Sequence, residues 1–331
     1  MRAPRRRRLT AVAVGLAVAG GLGLSGATAD RSSAAPTTAS APDLTTAAPE
    51  VGTATAGTAA AEPEGPPQSD FLSAFFYSAA HPAAVPAGAN DWACKPDQAH
   101  PRPVVLVHGT FENRYDNWAA LAPKLKDAGY CVYALNHGGD EGQPVLGTGD
   151  IPASAGQLAA FVDKVRAATG ADRVDLVGHS QGGLLPRYYL GRLGGAAKVD
   201  KLVALVPSNH GTSLAGLALL ARAIPGAEDA LGAGCPACRQ QLTGSDFLKE
   251  LNAGGETQPG VTYTVITTRY DEVVTPYTSA FLEPGPNVTK ATLQDVCPAN
   301  ATEHIGISYD RAATRLVLNA LDPAHAQRPV C

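Results

Sequence analysis

The sequence predicts an α/β fold, with a mostly parallel central sheet covered by helices on both faces. Three observations predict it. Short apolar runs recur at Pro103 to Val107, Cys131 to Leu135, Arg173 to Val177, Lys201 to Val206 and Val261 to Thr267. Several of the segments between them carry apolar residues at helical spacing, and alternating strand and helix builds a parallel sheet. Polar, glycine-bearing stretches follow several of the runs, at the carboxyl ends of strands where such sheets collect their reacting groups.

The first run, "PVVLV", stops at His108-Gly109 and is continuous rather than alternating, as expected of a strand buried on both faces. The following "NWAALAPKLKDAGY" sets Trp118, Leu121, Leu125 and Ala128 at helical spacing, with Gly129 as terminator. "CVYAL" is the second strand. Ser154 to Ala168 forms a helix with Leu158, Phe161, Val162 and Val165 on one face, ended by Gly170. "RVDLV" is the third strand, and "LLPRYYLGRL" a helix that must accommodate Pro186 without its backbone donor. "KLVALV" and "VTYTVIT" are strands four and five, and a last helix runs from about Ser308 to Leu321.

The ends are of another character. Met1 to Arg8 holds five arginines, Leu9 to Leu24 is apolar and uncharged, and Ala27-Thr28-Ala29 supplies small residues, the three parts of a secretory signal peptide over residues 1–29. The apolar run is short and glycine-rich for a membrane-spanning helix. Residues 30–69 are Ala, Thr, Ser, Pro and Gly with few large apolar side chains, the composition of a disordered linker or propeptide. The folded domain is expected over 70–331, from the cluster Phe71, Phe75, Phe76 and Tyr77 onward. A formal charge of −4, with no basic face and no phosphate-cradling glycine loop, argues against nucleic acid as a partner, and no stable protein partner is implied. Six cysteines, Cys94, Cys131, Cys235, Cys238, Cys297 and Cys331, suggest three disulfides in an exported chain, out of fifteen possible pairings. Cys235-Pro-Ala-Cys238 could also be half of a zinc or redox site, but the second pair a zinc ribbon needs is missing.

Chemistry concentrates in "LVGHSQGGLLPRYYL". Ser180 lies in Gly178-His179-Ser180-Gln181-Gly182, which matches the G-x-S-x-G elbow with a strand before and a helix after. A serine hydroxyl needs a base. In this elbow type the chain order is serine, acid, histidine, which leaves His210, His304 and His325. His304, in a polar loop before the last helix, is the candidate; His210 leaves little room for an acid, and His325 lies in a Pro- and Ala-rich tail. Asp271 and Glu272 follow the fifth strand, and Asp271 is preferred for its shorter arm, with Asp295 and Glu303 as alternatives. Backbone N–H groups of Gln181 and Thr110 are the candidate oxyanion donors, and the Thr110 hydroxyl can add another. Such a mechanism requires no metal or organic cofactor. Substrate choice is expected between Ser208 and Leu251, where Leu214 and Leu217 form either an acyl-pocket wall or lid, or a packing helix, with Phe111 near the same pocket.

Together "VVLVHGT", "VDLVGHSQGG", "YDEVVTPY" and "EHIGI" resemble the α/β-hydrolase superfamily, and within it secreted bacterial triacylglycerol lipases of the class 2 type, over about Pro103 to Leu321. The resemblance implies hydrolysis of carboxylic esters through an acyl-enzyme, with Ser180, Asp271 and His304 as triad and Thr110 and Gln181 at the oxyanion. It implies a secreted enzyme acting on ester or lipid substrates, at a lipid–water interface in the lipase case. It also implies the bridges Cys94 to Cys131, Cys235 to Cys238 and Cys297 to Cys331. A short-chain or polyester (cutinase-like) esterase is the alternative, and a noncatalytic binding scaffold a remote one. The linker, the Cys235 to Cys238 loop and Pro186 depart from the general pattern.

Overall fold

The computed structural model describes residues 62–331, so the expected signal peptide and most of the linker lie outside the described residues. The elements are α1 (Phe71–Ala80), β1 (Val104–Val107), α2 (Leu121–Asp127), β2 (Val132–Leu135), α3 (Ile151–Thr169), β3 (Val174–His179), α4 (Gln181–Arg192) and β4 (Val199–Leu205). They continue as α5 (Leu214–Ala223), α6 (Ala227–Gly232), α7 (Pro236–Gln240), α8 (Asp246–Ala253), β5 (Thr262–Thr267), β6 (Val288–Thr292), α9 (Leu293–Val296) and α10 (Arg311–Leu321).

The strands form a parallel sheet in the order β2-β1-β3-β4-β5-β6. Strands β1, β2 and β3 are buried at every position. Two apolar layers cover the sheet. One includes Leu158 and Val162 of α3, Leu184 and Leu185 of α4 and Phe71 of α1. The other includes Leu121 and Leu125 of α2 and Ala313 and Val317 of α10. The strand order reverses between β1 and β3, and the crevice beyond their carboxyl ends is where such sheets seat ligands. The loops beginning at His108 and at Ser180 leave from that point.

Three features differ from the sequence reading. A sixth strand, β6, completes the edge; its "VTKAT" is half exposed and polar, so no apolar run marks it. Helix α2 starts three residues later than the apolar spacing from Trp118 suggests, at Leu121. Described residues within the stretch assigned to the linker are packed: Glu62 pairs with Arg114 at 2.8 Å, Gly65 N–H donates to the Val85 carbonyl, and the Tyr115 hydroxyl donates to the Pro66 carbonyl at 2.6 Å. Residues 62–69 are held by backbone and charge, which an argument from apolar composition does not weigh.

The cysteines are joined Cys94 to Cys131, Cys235 to Cys238 and Cys297 to Cys331. The first ties the segment before β1 to the start of β2, and the third fastens the C-terminal tail to the end of α9. Asp70, Asp150 and Asp310 cap α1, α3 and α10 by accepting a backbone N–H, each worth about 1 kcal/mol. Among the described residues no helix is long and apolar enough to cross a membrane.

Candidate active site

Ser180 links β3 to α4 with φ 52° and ψ −121°, a left-handed conformation that costs a non-glycine residue about 1–3 kcal/mol. Close packing enforces it. A Cβ on Gly178 would lie 1.8 Å from the Gly182 carbonyl oxygen, and one on Gly182 would lie 2.0 Å from the Val107 carbonyl oxygen. Helix α4 can therefore start directly on the sheet only with glycine at both places. Pro186 sits inside α4 and cannot donate to the carbonyl four residues back, which is that of Gly182. The carbonyl crowding Gly178 is thus the one that the proline frees from the helical ladder.

The chain brings Ser180, Asp271 and His304 together. His304 Nε2 is 3.0 Å from Ser180 Oγ, and His304 Nδ1 is 2.9 Å from Asp271 Oδ1. The same Oδ1 accepts the backbone N–H of Val273 at 3.0 Å and of Val274 at 2.8 Å, so the turn after β5 orients the carboxylate. Nδ1 facing a carboxylate carries the ring hydrogen, which leaves the Nε2 lone pair to accept the serine proton. His304 is fully enclosed. Burial pushes its pKa down, but the Asp271 carboxylate, aided by Glu112 and Glu272, outweighs burial and holds it above the ordinary histidine value.

The alternatives are placed elsewhere. Glu272 approaches the main-chain N–H of His304 at 3.4 Å rather than its ring. Asp295 pairs with Arg269, and Glu303 accepts the N–H groups of Ile305 and Gly306. His210 is held between Glu256 and the Ser279 carbonyl, and His325 is exposed beside Asp322.

Thr110 and Gln181 are both buried at the crevice between β1 and β3. Gln181 is the first residue of α4, so its N–H has no carbonyl of its own helix to meet. Among the described residues the Thr110 N–H also has no acceptor. The Thr110 hydroxyl oxygen accepts from Gln181 Nε2 at 3.0 Å and Gln241 Nε2 at 2.9 Å. Two acceptor sites are thereby used, and the hydroxyl hydrogen is left to donate. Gln241 is in turn held by Ser208 Oγ at 2.9 Å. The sequence reading did not single out Gln241, because its contact with Thr110 spans 131 residues and no local pattern marks it.

Of the residues read as acyl wall, lid or packing helix, Leu217 and Phe111 are buried in the core and Leu214 is 72% exposed. Leu214 is the first residue of α5, at the open end of the helix, whereas Leu217, Leu220 and Ala221 further along form its buried face.

The family described as Lipase (class 2) matches residues 101–303. Over 134 residues the chain is 41% identical to a triacylglycerol lipase of Burkholderia plantarii, covering 39% of this chain and 32% of that one. It is 42% identical over 110 residues to a triacylglycerol lipase of Pseudarthrobacter phenanthrenivorans, covering 31% of each. It is 30% identical over 218 residues to Lipase B of Pseudozyma antarctica, covering 62% of this chain and 57% of that one. The match to the first two curated relatives thus spans about a third of their length. Among solved structures, Aspergillus fumigatus lipase B superposes with a TM-score of 0.58 at 24% identity, covering 74% of this chain and 56% of that one. Bacillus licheniformis lipase BlEst2 in its mature form gives 0.51 at 19% identity, covering 68% and 94%. At these identities the likeness speaks for the fold.

Proposed function

The chain belongs to the class 2 lipase family, and from that premise we propose that it is an exported serine hydrolase of carboxylic esters, a triacylglycerol lipase. The observation that carries this reading is the continuous hydrogen-bonded path from Ser180 Oγ through His304 to Asp271. His304 Nε2 takes the Ser180 proton as Oγ attacks the ester carbonyl, and Asp271 stabilises the imidazolium that results. The carbonyl oxygen gains negative charge beside the N–H groups of Gln181 and Thr110 and the Thr110 hydroxyl, each donor worth about 3 kcal/mol in comparable sites. Collapse expels the alcohol, which receives the proton from His304 and leaves Ser180 acylated. Water then attacks the acyl-enzyme with His304 again as base, releasing the acid and restoring the serine.

Support for export comes from the arginine-rich, apolar and small-residue succession of residues 1–29 and from the disulfides of the described chain.

The test is the purified enzyme and its Ser180→Ala variant on p-nitrophenyl esters, followed by tributyrin, triolein and a polyester film. The reading expects loss of ester cleavage in Ser180→Ala and turnover of both triacylglycerols by the parent. Full activity in Ser180→Ala refutes the mechanism. Strict short-chain preference assigns an esterase instead, and cleavage of the film a cutinase-like enzyme.

A further inference from the structure

We infer that His179 and Glu112 form a brace that locks the main chain of the His304 loop to the oxyanion loop, which makes both positioning residues for the reaction proposed above; the inference rests on that reading. His179 ends β3, next to Ser180, and is fully enclosed. Its Nε2 lies 2.9 Å from the main-chain oxygen of His304. A carbonyl only accepts, so Nε2 carries a hydrogen and donates it. Its Nδ1 lies 2.8 Å from Glu112 Oε2 and 3.1 Å from Asn117 Nδ2. Glu112 Oε2 and Asn117 Oδ1 both accept the Gly109 N–H at 3.0 Å. The chain of contacts therefore starts one residue before Thr110, passes one residue before Ser180 and ends on the backbone of His304.

The packing is specific to this arrangement. A Cβ on Gly109 would lie 2.2 Å from Glu112 Oε2, and 3.2 Å from both His179 Nδ1 and Ser180 Cβ, so oxyanion loop, brace and nucleophile close on one another only around a glycine. A carboxylate with 1% exposure is costly to bury unless it is paired. An apolar pair could fill the same volume without that cost, but it could not hold the His304 carbonyl.

The brace also acts by charge. The ionisable groups facing His304 are Asp271 and Glu272 from the turn after β5, Glu112 from the loop after β1, and His179 from β3. Glu112 is one of the carboxylates that raise the proton affinity of His304, so removing its charge moves the acid limb of activity to lower pH.

The experiment measures kcat, KM and pH–rate profiles on p-nitrophenyl butyrate for the full exported chain and its His179→Phe, His179→Gln and Glu112→Gln variants, with folding checked by thermal melting. Ser180→Ala serves as the control. His179→Phe is expected to lower kcat about 100-fold, the scale of a misplaced catalytic group, with KM unchanged. His179→Gln restores an amide donor toward the His304 carbonyl and recovers about ten-fold of the loss, the scale of one hydrogen bond. Glu112→Gln shifts the acid limb downward. Parental kcat in His179→Phe, a loss confined to KM, or a folded His179→Gln no better than His179→Phe overturns the brace. Should His179→Phe fail to fold, His179→Gln decides: kcat about ten-fold below the parent with KM unchanged upholds the brace, and parental kcat or a loss confined to KM overturns it. Activity in Ser180→Ala would instead defeat the underlying reading, a failure distinct from these.

Discussion

His304 and the pair His108 and His137 are equally sealed from solvent, yet the protein drives their proton affinities in opposite directions. His304 meets a carboxylate, and charge overcomes burial. His108 and His137 stack on each other at 4.0 Å and 12° and meet only backbone: His108 Nδ1 the Gly109 oxygen, His108 Nε2 the N–H of His137, and His137 Nε2 the His108 oxygen. Burial lowers both, His137 to about 4, and each stays neutral while joining the ends of β1 and β2. Burial alone leaves His108 and His137 as links between strand ends, whereas the Asp271 carboxylate raises His304, as the base role proposed for it requires.

The largest expected effect breaks that contrast. Asp271→Asn leaves His304 in place but removes the charge that fixes its tautomer and supports its imidazolium, and kcat should fall about 10⁴-fold. A loss of less than about ten-fold would separate His304 from Asp271 in function.

Next in size is a stability effect confined to the other pair. The folded pKa of His137, about 4, lies below its unfolded value, so the unfolded chain binds more protons between them. Stability from this group is fully present above about pH 6.5 and falls as the pH drops toward 4, by about 3 kcal/mol at most. His137→Gln keeps an amide donor but no titrating ring. Denaturant titrations should show its deficit against the parent shrinking by that amount from pH 7 to pH 4; a constant gap contradicts the neutral assignment.

Thr110 stands at the junction of the two regions, two residues after His108. Thr110→Val removes the hydroxyl that Gln181 and Gln241 hold, and kcat should fall about 100-fold while the acid limb stays where it was. A shifted limb with unchanged kcat would place Thr110 in the electrostatics of His304 instead. The smallest effect is the limb itself. In the proposed mechanism His304 acts only when neutral, and its pKa is raised, so kcat/KM should decline as the pH falls through a value above the ordinary 6.5. A limb below that value would mean that burial wins.

The sequence made legible what depends on near neighbours. Strands β1 and β2 could be read because both faces are covered and their residues run apolar without a break, and β3 to β5 because apolar residues recur in them despite Asp175, Lys201 and the threonines of β5; β6, an edge with Thr289 and Lys290 exposed, could not. Ser180 could be read from the glycines its turn needs, and Asp271 and His304 from their order after strand ends. The orientation of α5 was not legible, because an apolar run such as "LAGLALLARA" does not say which leucines face out, and Leu214 does. Nor were Glu112 and Gln241, whose partners come from distant segments and exist only once the crevice has closed.

The most direct test of the central claim is to treat the purified parent with a fluorophosphonate and map the adduct by mass spectrometry while following ester hydrolysis. One adduct is expected, on Ser180, formed in step with loss of activity and absent from Asp271→Asn over the same interval. Complete inactivation with Ser180 unmodified, or full labelling of Ser180 with activity retained, would contradict it.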